Sequence, residues 1–559
     1  MALNKESVTA SRTSTYNAAV RFIDRNLELG LGEKTAIVDD SKVMTYRDLS
    51  VYVNRIGHGL KSLGVSMENR VLLICDDSCE FVGTFFGAIK VGAVPVPTNT
   101  MLSVADYLYM LNDSRAVVAI VEDRIWDQIS KYTDEIKYVR HVVVISRRRA
   151  PGGADHGPDS CMDRHADSRD ASMGTNLTSR LTLMSFEGLI EGQPAELQPA
   201  PTVPDDMAFW LYTSGSTGRP KGVVHLQHDM ECAYENYAKP VLGMTANDIT
   251  FSASKLFFAY GMGNGMYFAL AAGGTTVLMR ERATPAAVFS RIQELQPTLF
   301  FGVPTLYAAM LNEASKSDFH VRMSSLRLCV SAGEPLAPSI FQRFHKTFGV
   351  EILDGIGSTE ALHIYISNRA KEVRPGSTGQ VVAGYEVKVV DEEGNPLPAG
   401  EQGQLMLKGD SIASGYWNLH EQTKRRFYGE WYMTGDRYYY DQDGYFWYCG
   451  RQDDMMKSGG IWVSPIEIEN TLMEHDSVLE VGVVGVKDEF GLEKPIAYVV
   501  PKQNTDLSTL EETLREFIRD RLAHYKCPKR FEFVSELPKT ETGKIQRFKL
   551  REQSAVAAL

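Results

Sequence analysis

The chain has 559 residues, 43% of them hydrophobic and 10% aromatic, with a formal net charge of -12; that length exceeds one compact core and predicts two or more packed units. The acidic balance excludes a general nucleic-acid binder, because phosphate backbones demand clustered positive charge, although a nucleotide site needs only one or two cations. Seven cysteines, Cys75, Cys79, Cys161, Cys232, Cys329, Cys449 and Cys527, are scattered without a CxxC pair, and they read as buried thiols in a reducing compartment. The twelve histidines show no spacing of the HExxH kind, so no structural zinc is expected.

From Met1-Ala2-Leu3-Asn4-Lys5 onward there is no hydrophobic export segment, and no apolar run approaches the ~20 residues that cross a bilayer. The expectation is a soluble cytoplasmic protein with no membrane or nucleic-acid partner. Apolar, β-rich runs then alternate with helix-like stretches: Val71 to Cys75, Ala116 to Val121, Val142 to Ile145, Thr275 to Met279, Leu299 to Val303 and Leu326 to Val330. Such alternation predicts βαβ units wound doubly around mostly parallel sheets. The stretch from Arg147 to Asn176 is rich in Gly, Pro, Asp, Ser and Arg and reads as an exposed loop or insertion without chemistry.

Beyond Gly384 the texture changes to shorter strands and turns, at Tyr385 to Val390, Gln404 to Lys408 and Tyr438 to Tyr448, which predicts a small barrel-like β subdomain. A charged string, Arg451-Gln452-Asp453-Asp454, leads into a small α+β pattern with strands at Val481 to Val486, Ile496 to Val500 and Phe531 to Val534 and a helix at about Ser508 to Ala523. The predicted division is a large domain over residues 1–452 and a small domain over 453–559, joined by a short polar linker.

The densest chemical signal is Thr213-Ser214-Gly215-Ser216-Thr217-Gly218-Arg219-Pro220-Lys221-Gly222, after the apolar run Met207 to Tyr212 and before a helix-like segment. Glycines let backbone N–H groups approach a phosphate, hydroxyls add donors and Lys221 adds charge. It lacks the glycine spacing and the Gly-Lys-Ser/Thr ending of the NTPase P-loop. This string resembles the phosphate loop of the adenylate-forming superfamily, which holds acyl-CoA synthetases, firefly luciferase and peptide-synthetase adenylation domains, and the resemblance recurs in order along nearly the whole chain.

The resemblance implies roles for the later motifs. Ser331-Ala332-Gly333-Glu334-Pro335-Leu336 would lie against the adenine. In Asp354-Gly355-Ile356-Gly357-Ser358-Thr359-Glu360, Thr359 would meet the α-phosphate and Glu360 would help hold Mg²⁺, which needs few protein carboxylates when phosphates share it. Asp436, in Tyr432-Met433-Thr434-Gly435-Asp436, would accept bonds from the ribose hydroxyls, and Arg451 would touch the ribose and phosphate side. Asp453 falls at the hinge position and Gly459-Gly460-Ile461-Trp462 at the pantetheine passage. Lys544, in Pro538-Lys539-Thr540-Glu541-Thr542-Gly543-Lys544-Ile545-Gln546-Arg547, corresponds to the lysine of adenylation, and acetylation by a lysine acetyltransferase would delete its charge.

Lys255-Leu256-Phe257-Phe258-Ala259-Tyr260-Gly261, Tyr237 to Gly243 and Gly357 to His363 look like the benzoate-CoA ligase branch. Phe258 stands where many members carry a histidine. If Tyr237, Phe258, Ala259, Tyr260, Ala332, Gly333, Gly355, Gly357, Leu362 and His363 line the acyl pocket, its walls are flat and apolar, charged only if His363 is protonated, and suit an aryl ring. The implied reaction uses ATP, Mg²⁺ and coenzyme A to convert benzoate, or a hydroxy- or aminobenzoate, into its CoA thioester through an aroyl adenylate, as in aromatic compound degradation. Rival expectations are a ligase for a phenylpropenoic, heteroaromatic or medium-chain acid, and a standalone adenylation module charging a separate carrier protein. Intact Lys544, Glu360 and Asp436 argue against a catalytically silent sensor, and a homodimer is a further expectation.

Overall fold

A computed structural model describes residues 14–146, 175–176, 181–213, 219–316, 321–452, 454–458, 461–487, 493–503, 505–539 and 545–556. The β-branched runs expected as strands form two large sheets. In the first, Val94–Pro97, Arg70–Ile74, Val118–Glu122, His141–Ile145 and Thr182–Ser185 pair in that order and in parallel, with Thr175–Asn176 antiparallel at the edge. The second has a parallel centre of Ile352–Gly357, Leu328–Ser331, Leu299–Gly302, Ile249–Ser252, Thr275–Val277 and Thr35–Val38. Antiparallel strands Ile364–Ser367 and Val43–Thr45 flank it.

Helices Tyr46–Ser62 and Cys79–Lys90 pack together in the core, and one hydrophobic cluster joins Ile37, Val71, Phe301 and Leu353 from both sheets. Their close approach needs Gly83, where a Cβ would come within 2.7 Å of Tyr52 and Ile56. Thr45 and Asp48 start the first helix with a capping box, and Ser78 caps the second through the Phe81 N–H.

The third unit is antiparallel: Tyr385–Val390, Gly403–Gly409 and Trp431–Tyr440 in order, with Phe427–Tyr428 and Phe446–Arg451 also paired to Trp431–Tyr440. A three-stranded sheet, Val478–Lys487, Glu493–Pro501 and Arg530–Phe533, follows, with helices Pro465–Met473 and Leu507–Arg519 over one core and Arg547–Val556 beside it. Helix Leu507–Arg519 ends four residues before the predicted limit; Arg519 is its last helical residue and Asp520 its cap.

Two expectations change. The phosphate string does not lead into a helix: Met207–Thr213 and Lys221–Leu226 pair antiparallel, with Lys221 opposite Thr213, so the loop tips a β-hairpin, and the first helix begins at Asp229. The continuous burial of Gly222 to His225, with β-branched Val223 and Val224 at the centre, fits a strand inserted between two others. Cys232 and Cys527 are half-buried, whereas Cys75, Cys79, Cys329 and Cys449 are buried, and none of these six is in a disulfide. No helix among the described residues is long and apolar enough to cross a membrane.

Candidate active site

The hairpin brings Lys221 into a cluster of charges drawn from distant segments. Its ammonium lies over the Tyr416 ring, 5.2 Å from the centroid, and the Tyr416 hydroxyl donates to Glu360 Oε1 at 2.7 Å. Partial burial, then repulsion from Arg426 and Arg451, lowers the Lys221 pKa against the pull of Glu360. Three cations facing one space is an arrangement that an anion relieves.

Asp436 and Arg451 stand directly opposite each other on adjacent strands and pair at 3.0 Å; Arg451 also donates to the Thr434 carbonyl at 3.2 Å. The Asp436 carboxylate holds the Arg451 guanidinium firmly protonated. Between them Gly435, at φ +81°, presents its bare face to Arg426, whose nitrogen would lie 2.7 Å from a Cβ there.

Glu360 sits just past Ile352–Gly357, its main-chain carbonyl bonded to the Ala413 N–H. With Oε1 engaged by Tyr416, Oε2 makes no hydrogen bond among the described residues. One carboxylate oxygen beside a phosphate site matches what Mg²⁺ needs when most of its ligands are phosphate oxygens and water. No cluster of three or more metal-binding side chains exists among the described residues, so Glu360 would share the ion with the nucleotide.

The segment Ser331 to Leu336 leaves the end of Leu328–Ser331, and Gly333 takes φ +94°. Asp354, on the neighbouring strand, is buried; Oδ2 accepts from the Leu336 N–H at 3.4 Å and Oδ1 has no hydrogen-bond partner among the described residues. Burial pushes its pKa up to about 8, so at neutral pH it is mostly an uncharged acid.

Beyond Glu360 the chain turns back through Leu362, a non-glycine residue at φ +66°, a conformation retained where surrounding contacts impose it. This turn aims His363 inward. Its ring lies 5.3 Å from Tyr237, 5.8 Å from Tyr260 and 4.5 Å from Phe268, between centroids. Among the described residues both imidazole nitrogens lack hydrogen-bond partners, as do the hydroxyls of Tyr237 and Tyr267 and the amide of Asn264. Burial drives the His363 pKa down to about 3, so the ring is neutral at physiological pH and the pocket wall carries no charge there. Gly263 makes room, since a Cβ would come within 2.5 Å of His363. Ala259 and Ala332 are buried in the same core cluster, with Phe258 and Tyr260 packed against it.

The pocket loop is tethered from the other large sheet. Fully buried Asp77 accepts from the Leu256 N–H at 2.9 Å, and Lys255, 3.9 Å away, donates to the carbonyls of Met279, Arg280 and Glu281. Asp77→Leu orphans that N–H and is expected to cost ~1–3 kcal/mol and to raise the KM for the acid, with the KM for ATP little changed. Asp77→Asn keeps the acceptor and should restore most of the loss, as steady-state kinetics and melting would register.

The sequence-predicted residues Thr213, Lys221, Asp354, Thr359, Glu360, Asp436 and Arg451 thus come from the hairpin, the second sheet and the antiparallel unit, and Tyr237, Tyr260, Leu362 and His363 from three separate segments. Ser214, Gly215, Ser216, Thr217, Gly218, Asp453, Gly459, Gly460 and Lys544 lie outside the described residues. The main chain of Ile461 and Trp462 belongs to a short hairpin with Met456–Ser458. Within the terminal string, Lys539 and Ile545 form an antiparallel bridge. Sequence reasoning missed Tyr416, Arg426, Asp77, Asn264 and Tyr267; the only available signal was their closeness in the chain to Thr434-Gly435-Asp436, the apolar strand ending at Cys75, and the pocket loop.

A strand hairpin carrying Lys221, the Asp436–Arg451 pair and the Glu360 carboxylate gather opposed charges in one space, an arrangement suited to a polyanionic ligand. The profile of the AMP-binding enzyme family matches residues 28–417 and that of the AMP-binding enzyme C-terminal domain residues 467–544; the chain belongs to the AMP-binding enzyme family. It is 46% identical over 540 residues, 96% of each chain, to a benzoate-CoA ligase of Thauera aromatica. It is 38% identical over 541 residues, 96% of this chain and 94% of the other, to a 4-hydroxybenzoate-CoA/benzoate-CoA ligase of Rhodopseudomonas palustris. Among solved structures it is similar to an anthranilate CoA ligase, AuaEII, in complex with anthranoyl-AMP, with a TM-score of 0.88, 40% identity and coverage of 97% and 98%. A benzoate CoA ligase from Burkholderia xenovorans LB400 superimposes with a TM-score of 0.83 at 42% identity, covering 96% and 100%.

Proposed function

We propose that the chain is an aromatic acid-CoA ligase that converts ATP, benzoate or a ring-substituted benzoate, and coenzyme A into the aroyl-CoA, AMP and pyrophosphate. The observation that carries this reading is the buried cluster of aromatic rings around a neutral His363, on the same turn that bears Thr359 and Glu360, in a chain alike over its whole length to ligases of aromatic acids. Flat aromatic walls favour an aryl ring by burial and edge contacts.

A carboxylate is a poor acceptor for a thiol until it gains a good leaving group. Its oxygen attacks the α-phosphorus of ATP, the bond to the β-phosphate oxygen breaks, and pyrophosphate departs. Two anions meet in that step. The phosphate-loop donors with Lys221, together with Lys544 from the small domain, offset the repulsion where charge develops, and Thr359 contacts the α-phosphate. Glu360 would hold Mg²⁺ together with the nucleotide, and the ion would supply further neutralisation of the phosphates. Asp436 and Arg451 hold the ribose, and Gly333, Glu334, Pro335 and Gly355 border the base. In the second step the CoA thiol, losing its proton, attacks the acyl carbon and AMP leaves.

The domain boundary falls at 452/453, and rotation about Asp453 exchanges Lys544 for the passage at Gly459 to Trp462. The protein works in the cytoplasm, and acetylation of Lys544 would switch off the first step by removing its charge. Self-association into a homodimer completes the proposal.

Pyrophosphate release and CoA-thioester formation, measured across benzoate, hydroxybenzoates, aminobenzoates and aliphatic acids, test the reading. Aromatic acids should be preferred, with free CoA a better acceptor than carrier proteins; preference for aliphatic acids or for a carrier would overturn it. His363→Phe should leave benzoate turnover within several-fold and lower kcat/KM for any ring-substituted acid that uses a His363 nitrogen by ~10-fold or more.

A further inference from the structure

The strand that follows the phosphate loop carries a second polar group that the reaction described above does not use. His225 and Asp229 are both fully buried, with His225 Nδ1 2.7 Å from Asp229 Oδ2. On the other side of the ring, Nε2 lies 2.8 Å from the main-chain carbonyl of Thr359. The contact spans 134 residues of sequence. A carbonyl only accepts, so Nε2 donates to Thr359, while Nδ1 faces the Asp229 carboxyl, whose Oδ2 also takes the Leu226 N–H at 3.0 Å. Phe209 stacks on the imidazole, 5.1 Å between centroids and 19° between planes, and fixes its orientation.

What His225 holds is the turn at the reacting end of the site. The Thr359 carbonyl accepts from the Leu362 N–H as well, at 3.1 Å, closing the turn that forces Leu362 to φ +66° and delivers His363 to the pocket. Lys221, Val223 and His225 alternate along one face of their strand, so one side of the hairpin presents Lys221 to Tyr416 and Glu360 and His225 to Thr359.

We propose that His225, oriented by Asp229, is a positioning residue that locks Thr359 and Glu360 in register with the phosphate-loop hairpin, so that the α-phosphate contact and the acid pocket are assembled together. This inference rests on the reading of the enzyme as one that adenylates an acid. Its action is through Thr359; His225 itself touches no reactant.

The test separates the two half-reactions. His225→Phe with Asp229→Asn keeps a flat ring against Phe209 and leaves no unpaired buried charge, which guards the fold. Loss of such an outer partner is expected to slow benzoate-dependent pyrophosphate exchange by ~10- to 100-fold. Thioester formation from supplied benzoyl-AMP and CoA should stay within about threefold, and the KM for ATP likewise. His225→Gln, which retains an N–H donor, should recover part of the exchange rate. Equal loss in both half-reactions, loss that follows the unfolded fraction seen in melting curves, or no loss at all would overturn the inference. A wild-type enzyme that exchanges no pyrophosphate with any aromatic acid sinks the adenylation reading and this inference with it, whereas normal exchange by both wild type and double variant sinks the inference alone.

Discussion

Alanine at Lys544 is expected to slow aroyl-adenylate formation by about 100-fold or more, the usual effect of removing one preorganised charge-stabilising donor, while thioester formation from supplied aroyl-AMP changes little. The asymmetry follows from the two steps. In the first, a carboxylate approaches a polyphosphate, and each fixed cation lowers a barrier made largely of like-charge repulsion. In the second, a thiol attacks the acyl carbon of an activated acid and AMP leaves, so a lysine proposed to act on the phosphates has little to do. Lys221, Arg426 and Arg451 stay in place in this variant and already share one space, since the two guanidinium groups add to burial in lowering the Lys221 pKa; nucleotide affinity should therefore survive. Pyrophosphate exchange and thioester assays on the same preparation measure both quantities. Equal losses would refute the division of labour.

Asp354→Asn is expected to remove a fall in stability that the wild type suffers as pH rises. Burial lifts the Asp354 pKa from 3.8 to about 8, outweighing the hydrogen bonds that favour its charged form, the Leu336 N–H among them. Below the unfolded-state value both states hold the proton and burial of the acid is uncontested. Between that value and about 8 the unfolded chain releases a proton that the folded chain keeps, so stability drops with rising pH by up to ~1.4 kcal/mol per unit from this group. Asparagine cannot ionise and loses that slope. Urea midpoints of both proteins from pH 5 to 8 should diverge steadily, the variant gaining on the wild type at each step; parallel curves would mean that Asp354 is charged in the folded state.

Much of the architecture is readable from residue pattern. The runs at Val71, Val118, Val142, Leu299 and Leu328 are strands because a two-sided parallel sheet admits apolar β-branched residues on both faces, and each lies within the buried core. The order of the glycine, acidic and arginine segments likewise implied a site for nucleotide and acid, since their chemistry resides in short stretches of main chain. The hairpin after the phosphate loop was not readable: Lys221 to Leu226 gains its partners from Met207–Thr213 and Gly415–Tyr416, the second pair about 190 residues away by register.

What the sequence alone determined is therefore the class of chemistry and the strands that frame it, because loop composition and two-residue alternation are local properties of the chain. Tertiary structure alone decided which side chains act on one another: Tyr416 on Glu360, Asp77 on Leu256, His225 on Thr359, and three aromatic rings around a neutral His363. Those contacts join segments with no shared periodicity, and the shifts in proton affinity at His363 and Asp354 come from burial, which exists only once the sheets have closed over them.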